Sequence, residues 1–126
     1  MIQTKRLYEP LTPADGACYL VERLWPRGIR KADLKIVGWY RELAPSTGLR
    51  KWFGHDPAKW AEFRSRYRAE LLQRPEAWEP LLAAARSGTV TLLYSARDTE
   101  HNSARVLKDF LEERSRDRTV RTSRTR

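Results

Sequence analysis

Apolar positions along this chain change their period from segment to segment, and the changes mark its elements. Val90-Thr91-Leu92-Leu93-Tyr94 is the densest run, and it stops at Ser95. A short continuous run of this kind predicts a strand covered on both faces, as in a parallel or mixed sheet. Ala17-Cys18-Tyr19-Leu20-Val21 has the same character and ends in charge at Glu22-Arg23. Lys5 to Tyr8 reads as a short strand of mixed character. The Asp15-Gly16 turn signal then predicts a hairpin or an edge pairing near the N-terminus. Trp25-Pro26-Arg27-Gly28 reads as a turn, because proline disfavours helix at Trp25 and glycine suits the turn's end. Lys35 to Leu43 satisfies neither period cleanly and leans towards strand.

The helical segments carry clearer punctuation. Ser46 is placed as an N-cap before Leu49, Trp52 and Phe53, with Gly54 as the stop. Asp56 caps and Pro57 occupies the first turn of a helix whose Trp60, Phe63, Tyr67 and Leu71 fall three and four apart on one face. Glu62, Arg66 and Glu70 on its other face predict an ion-pair ladder. Pro75 breaks the chain, Pro80 opens the next helix, and Gly88 ends it. Ala104, Leu107, Phe110 and Leu111 form the apolar face of a last helix from about Thr99 to Arg114. Helix, strand and helix in succession point to an α/β fold, read here as three αβα layers around a small, mostly parallel sheet.

Length and composition fit one domain over residues 1–114, followed by a basic tail over 115–126 that reads as disordered. The formal net charge is +9. Arg116, Arg118, Arg121, Arg124 and Arg126 stand against Asp117 in the tail, so almost half of that excess lies outside the domain. No apolar stretch approaches the roughly 18 residues of a membrane span. Met1 to Arg6 lacks the apolar core of a signal peptide, and a cytoplasmic setting is expected. The single cysteine, Cys18, excludes an internal disulfide and reads as a small buried hydrophobe.

Candidate chemistry gathers where the long apolar runs end. Beyond Ser95, Asp98, His101 and Asn102 precede a helix start, whose free N–H groups and dipole favour an anion. Arg23 and Arg27 follow the other strand and would clamp a carboxylate or phosphate. If the two strands lie side by side and parallel, these groups share one crevice outside their carboxyl ends. The ligand-binding candidates are accordingly Arg23, Arg27, Asn102, Trp25 and Ser95. His101 is the candidate acid or base with Asp98 orienting it, and His55 is a second proton carrier. Asp56 is accounted for as a cap. No metal site is expected, since His-x-x-x-His spacing is missing, and no cofactor is specified because neither a P-loop nor a dinucleotide fingerprint occurs. The expected function is binding of a small phosphate- or carboxylate-bearing ligand, with enzymatic turnover and oligomeric state left open. The alternative is a nucleic-acid-binding module in which Arg50, Lys51 and the arginine tail contact phosphates while Trp25 stacks on a base.

Several motifs in order also resemble a known family. They are Arg23-Leu24-Trp25-Pro26-Arg27-Gly28, Ala44-Pro45-Ser46 with Leu49-Arg50-Lys51-Trp52-Phe53, His55-Asp56-Pro57, Glu62-Phe63 with Arg66-Tyr67, and Leu92-Leu93-Tyr94 leading to Asp98 and His101-Asn102. Over about residues 5 to 114 the chain resembles the YeaO-like branch of the domain of unknown function 488 family. The resemblance implies a small cytoplasmic α/β domain whose motifs line one edge of the sheet, and carries no established activity with it. Glu22 stands where that pattern has aspartate, and Gly38 where it has an acid.

Overall fold

The computed structural model describes residues 1–124. Four strands, β1 (Ile2–Arg6), β2 (Ala17–Leu20), β3 (Gly38–Trp39) and β4 (Val90–Tyr94), form one sheet in the order β1-β4-β2-β3. Every pairing is parallel, with Ile2 opposite Val90, Ala17 opposite Val90, and Tyr19 opposite Gly38. The α/β class and the small parallel sheet read from the sequence therefore hold. Four helices complete the domain: α1 (Thr47–Phe53), α2 (Trp60–Leu72), α3 (Pro75–Ser87) and α4 (Ser103–Arg124).

Of the hairpin or edge pairing expected at the N-terminus, the hairpin does not form, because β4 lies between β1 and β2, and β1 is an edge strand paired with β4. All five residues of β4 are buried. A strand that apolar is stabilised most at the centre of the sheet, and a β1–β2 hairpin would displace it to an edge. The Asp15-Gly16 turn instead returns the chain for a parallel crossover. Gly16 has φ +65°, and a Cβ there would sit 2.2 Å from the carbonyl oxygen of Thr89, so only glycine permits β2 to begin this close to β4. Asp15 is buried beside it. Its carboxylate accepts from Lys5 Nζ at 2.8 Å and Gln3 Nε2 at 3.0 Å, which satisfies a charge that burial would otherwise penalise.

Side chains of the sheet alternate between two apolar clusters. Val90, Leu92 and Tyr94 of β4 join Tyr19 and Val21 in packing against residues of all four helices. Leu93, Cys18 and Leu20 face the opposite side, where Leu7, Leu34, Trp25, Ile29 and Trp39 cover them. The sheet is thus sandwiched, but its second covering layer consists of loop segments and single 3-10 turns such as Lys31–Asp33 instead of α-helices. Cys18 is buried there, and burial raises its thiol pKa.

Local signals hold where they rest on caps. Ser46 Oγ accepts from Leu49 N–H at 3.2 Å, Gly54 closes α1 at φ +53°, and Asp56 accepts from Ala58 N–H at 3.0 Å. Four readings change. Pro75 is the first residue of α3, and Pro80 lies inside the helix at an exposed position, where water can reach the Glu76 carbonyl that its missing N–H leaves free. Lys35 to Leu43 yields only the two-residue β3 and a 3-10 turn, since its residues divide between both clusters: Ile36 and Trp39 on one side, Tyr40 and Leu43 on the other. The ladder on α2 keeps its Glu62–Arg66 pair, whereas Glu70 turns to Ser46, accepting from its N–H at 2.9 Å and its hydroxyl at 2.6 Å. Finally, α4 starts at Ser103, four residues after Thr99, and its backbone continues past Arg114 to Arg124. The last two residues of the basic tail, 125 and 126, lie outside the described residues.

Candidate functional site

β2 and β4 run side by side in the same direction, so their carboxyl ends open onto one crevice. From there β2 leads towards β3 on one side, while β4 leads into α4, which packs over β1 and β4 on the other. Strands whose connections diverge leave a cleft between their ends, the usual ligand position in open parallel sheets. A cavity of about 790 Å³ occupies this cleft. Its walls are Glu22 and Leu24 after β2, Tyr94 to Asp98 with His101 to Ser103 after β4, and Ala44, Pro45, Thr47, Arg50, Lys51, Phe53 and His55 around α1, with Phe63 of α2 behind them.

Seven of the residues singled out from the sequence meet here: Ser95, Asp98, His101, Asn102 and His55, with Arg50 and Lys51, the cations of the nucleic-acid alternative. Asp98 accepts from the N–H groups of Glu100 and His101, both at 2.9 Å, and its second oxygen meets His101 Nδ1 at 3.0 Å. Those backbone donors, more than the imidazole, hold its carboxyl pKa below the ordinary aspartate range. With Nδ1 tied to Asp98, Nε2 is the ring nitrogen left for a ligand. The His101 ring also meets the face of Trp60 edge-on, with centroids 5.1 Å apart, which fixes its plane. His55 follows Gly54 in the left-handed region at φ +58°, and this consecutive pair of left-handed residues turns the chain past the end of α1 at the cavity wall.

Asn102 and Ser95 prove to be bound internally. Asn102 Oδ1 accepts from Arg105 N–H at 2.9 Å and Nδ2 donates to the Asp98 carbonyl at 3.0 Å, so Asn102 is the N-cap of α4. Ser95 donates its N–H at 2.5 Å and its hydroxyl at 2.7 Å to the same oxygen of Glu22. Glu22 is itself steadied through its backbone carbonyl, which accepts from the Trp39 indole at 2.7 Å. This carboxylate bridge joins the ends of β2 and β4. From the far side Arg6 donates to the Ala96 carbonyl at 3.0 Å.

Arg23, Arg27 and Trp25 lie elsewhere. Arg23 donates to the carbonyls of Ala44 at 3.0 Å and Pro45 at 3.3 Å and borders a separate cavity of about 220 Å³ behind that wall. Arg27 is exposed at a turn in which Gly28 has φ +77°. Trp25 packs in the second cluster, edge-on to Trp39, and donates its indole N–H to the Ile29 carbonyl at 2.6 Å. Trp25 lies there because the chain, after placing Glu22 and Leu24 at the cavity, crosses to the other face of the sheet, whereas Arg23 stays on the helix side against Ala44 and Pro45.

The cations that do line the cavity are Arg50 and Lys51 on α1 and Arg97 in the β4–α4 loop. All three are exposed, and among the described residues none of their side chains has a hydrogen bond or ion pair. Arg97 stands between Ser95 and Asp98, so its position in the site-bearing loop was the available signal. Arg50 and Lys51 were legible only as phosphate contacts of the nucleic-acid alternative, because the seating of α1 against the strand ends is what brings them to this crevice. Burial raises the pKa of the Tyr94 phenol, which keeps it a neutral hydrogen-bond donor. Among the described residues no group of three or more His, Cys, Asp or Glu is arranged to hold a metal, and no helix is long and apolar enough to cross a membrane.

Comparison with known proteins agrees with the motif order. A family model described as the inactive DUF488-N3 subclade matches residues 1–125. The chain is 47% identical over 110 residues to the uncharacterized protein YeaO of Escherichia coli strain K12, covering 87% of this chain and 96% of that protein. It is 38% identical over 110 residues to the uncharacterized proteins Rv3073c of Mycobacterium tuberculosis H37Rv and Mb3100c of Mycobacterium bovis, covering 87% of this chain and 92% of each. No solved structure matches it. The chain belongs to the DUF488 family, in the YeaO-like group whose family model is described as the inactive DUF488-N3 subclade.

Proposed function

We propose that the protein binds a small phosphate- or carboxylate-bearing ligand in the crevice at the ends of β2 and β4, and that it holds this ligand without transforming it. The charge arrangement carries the reading. Both carboxylates on the cavity wall, Glu22 and Asp98, are occupied by internal hydrogen bonds, while Arg50, Lys51 and Arg97 have no acidic partner among the described residues. An incoming anion would supply the missing counter-charge, and arginine suits the two oxygens of a carboxylate or phosphate.

Two observations favour holding over turnover. The Asp98–His101 pair has the form of an oriented base, but the nearby Ser95 hydroxyl donates its proton to Glu22 and not to His101. The family's description as inactive points the same way. Asp98 then orients the His101 ring so that Nε2, a donor when the imidazole is protonated, faces the bound anion, with His55 as a second imidazole on the rim. Nucleic-acid binding would draw on the same Arg50 and Lys51, yet Trp25, the base-stacking platform it needs, is packed edge-on against Trp39.

Thermal unfolding against a panel of anionic compounds and their neutral counterparts tests this reading. A ligand at a hundred times its Kd stabilises the folded state by about 2.7 kcal/mol, which is roughly 10 °C for a chain of this size. Anionic members are expected to raise the midpoint, and a double variant, Arg50→Gln with Arg97→Gln, to lose that rise while keeping its own midpoint. Equal protection by neutral counterparts, or full protection of the double variant, refutes the site.

A further inference from the structure

An anion alone accounts for little of the cavity. About 790 Å³ is within the range of clefts that enclose whole organic ligands, roughly 300–1,000 Å³. The cations and the apolar surface also differ in exposure. Arg50, Lys51 and Arg97 are exposed, whereas Phe53, Phe63 and Tyr94 form buried wall. Phe53 stacks on Phe63 with centroids 4.3 Å apart and planes at 23°, and Trp60 continues the stack at 5.7 Å and 25°. These rings are already ordered before any guest arrives. Leu24 adds a feature that the folded chain does not itself explain: it borders the same cavity and is 65% exposed. A large apolar side chain left in water beside a cavity gains from a guest that covers it.

Resting on the anion reading above, we infer that the ligand is a phosphomonoester with an aromatic body, its dianionic phosphate on the cationic rim and its ring against the Leu24 and Phe53 side of the cavity. Three unpaired cations favour a dianion over a single carboxylate, since each added charge finds its own partner. The aromatic body follows from the ordered stack, because an offset or edge contact with a flat ring extends what Phe53 and Phe63 already make with each other. Preformed walls of this kind reward a rigid ligand, which loses little freedom on entering.

Calorimetric titration of the full chain with inorganic phosphate, methyl phosphate, phenyl phosphate and phenylacetate tests the inference. Phenyl phosphate is expected to bind at least tenfold more tightly than methyl phosphate, and phenylacetate more weakly than phenyl phosphate. Leu24→Ser, an exposed change that leaves the core untouched, is expected to reduce the advantage of phenyl over methyl phosphate several-fold and to leave methyl phosphate as it was. Arg97→Gln is expected to weaken all three phosphates together. Inorganic or methyl phosphate binding as tightly as phenyl phosphate overturns the aromatic body and leaves the anion site standing. Phenylacetate matching phenyl phosphate overturns the phosphate assignment alone. If none of the four binds, the inference and the anion site fall together.

Discussion

Replacing Asn102 by alanine separates a structural role from a ligand-holding one. The side chain is buried at 4% exposure and makes two hydrogen bonds, from Arg105 N–H to Oδ1 at 2.9 Å and from Nδ2 to the Asp98 carbonyl at 3.0 Å. Loss of an asparagine N-cap costs about 1 kcal/mol, and stranding the Asp98 carbonyl adds roughly 0.5–1 kcal/mol, for a total near 1.5–2 kcal/mol. At about 2.1 cal/mol/K per residue, the unfolding entropy of a 126-residue chain is roughly 0.26 kcal/mol/K, so Asn102→Ala is expected to lower Tm by about 6–8 °C. Circular dichroism melts of the free protein measure this directly. Asn102→Ser provides the control. Serine keeps an acceptor for Arg105 N–H and sets no charge against the Asp98 carbonyl, so it should lose clearly less than the alanine variant. A melt of Asn102→Ala within about 2 °C of wild type would refute the capping account, as would Asn102→Ser melting as low as the alanine variant. Were Asn102 chiefly a ligand holder, binding would suffer while the midpoint stayed in place.

Two further perturbations test the frame that positions the crevice. Gly16→Ala drives a Cβ to 2.2 Å from the Thr89 carbonyl oxygen, which also accepts from Ala17 N–H at 3.0 Å, and does so at φ +65°. Separation of β2 from β4 should remove more than about 2 kcal/mol in urea unfolding or abolish soluble protein, and an unchanged urea midpoint would contradict the observed approach. Asp15 has its carboxyl pKa lowered first by the Lys5 hydrogen bond and then by the Thr12 N–H. A lowered folded value means that the unfolded chain binds the proton more tightly, so this stabilisation is complete above the ordinary aspartate range and is lost as pH falls through the lower folded value. Asp15→Asn should therefore be less stable than wild type near neutrality and show a flatter decline in urea midpoint below about pH 4, whereas parallel profiles would remove Asp15 from the account.

The position of the crevice was legible because it depends on uninterrupted apolar runs. Val90 to Tyr94 and Ala17 to Val21 lack the alternation of a half-exposed strand, so both had to lie in a sheet's interior, and both end in polar residues. That reasoning places β2 beside β4 and brings Ser95, Asp98, His101 and Asn102 to the cleft. It fails two residues beyond β2. Past the last bond to β4, from Val21 N–H to the Leu93 carbonyl, alternation no longer dictates direction, and the Trp39 indole and the Ala44 and Pro45 carbonyls decide where Glu22 and Arg23 point. These partners come from 17 to 22 residues away. The start of α4 was illegible for a related reason. Asp98 and Asn102 each accept backbone N–H groups in the manner of a cap, and only the second does so at the first turn of the helix. Glu70 is the plainest case, since its spacing from Arg66 suits a ladder while Ser46, 24 residues earlier, offers two donors at once.

The groups that make the site resemble a catalytic centre are largely the ones that build it. Glu22 ties the end of β2 to the first residue after β4, Arg6 holds the next carbonyl from β1, Asp98 closes the loop on itself, and Asn102 anchors it to α4. Each bond joins a side chain to backbone, so the loop carrying Arg97 and His101 is braced from three strand ends and one helix. A loop braced this way keeps its cations in place without a ligand, and a preorganised site loses less entropy on binding. The same bracing engages the Ser95 hydroxyl, one oxygen of Glu22 and both oxygens of Asp98. Under the proposed reading, rigidity for binding and the engagement of these polar groups are two consequences of one hydrogen-bond scheme, in keeping with the family model's description as inactive.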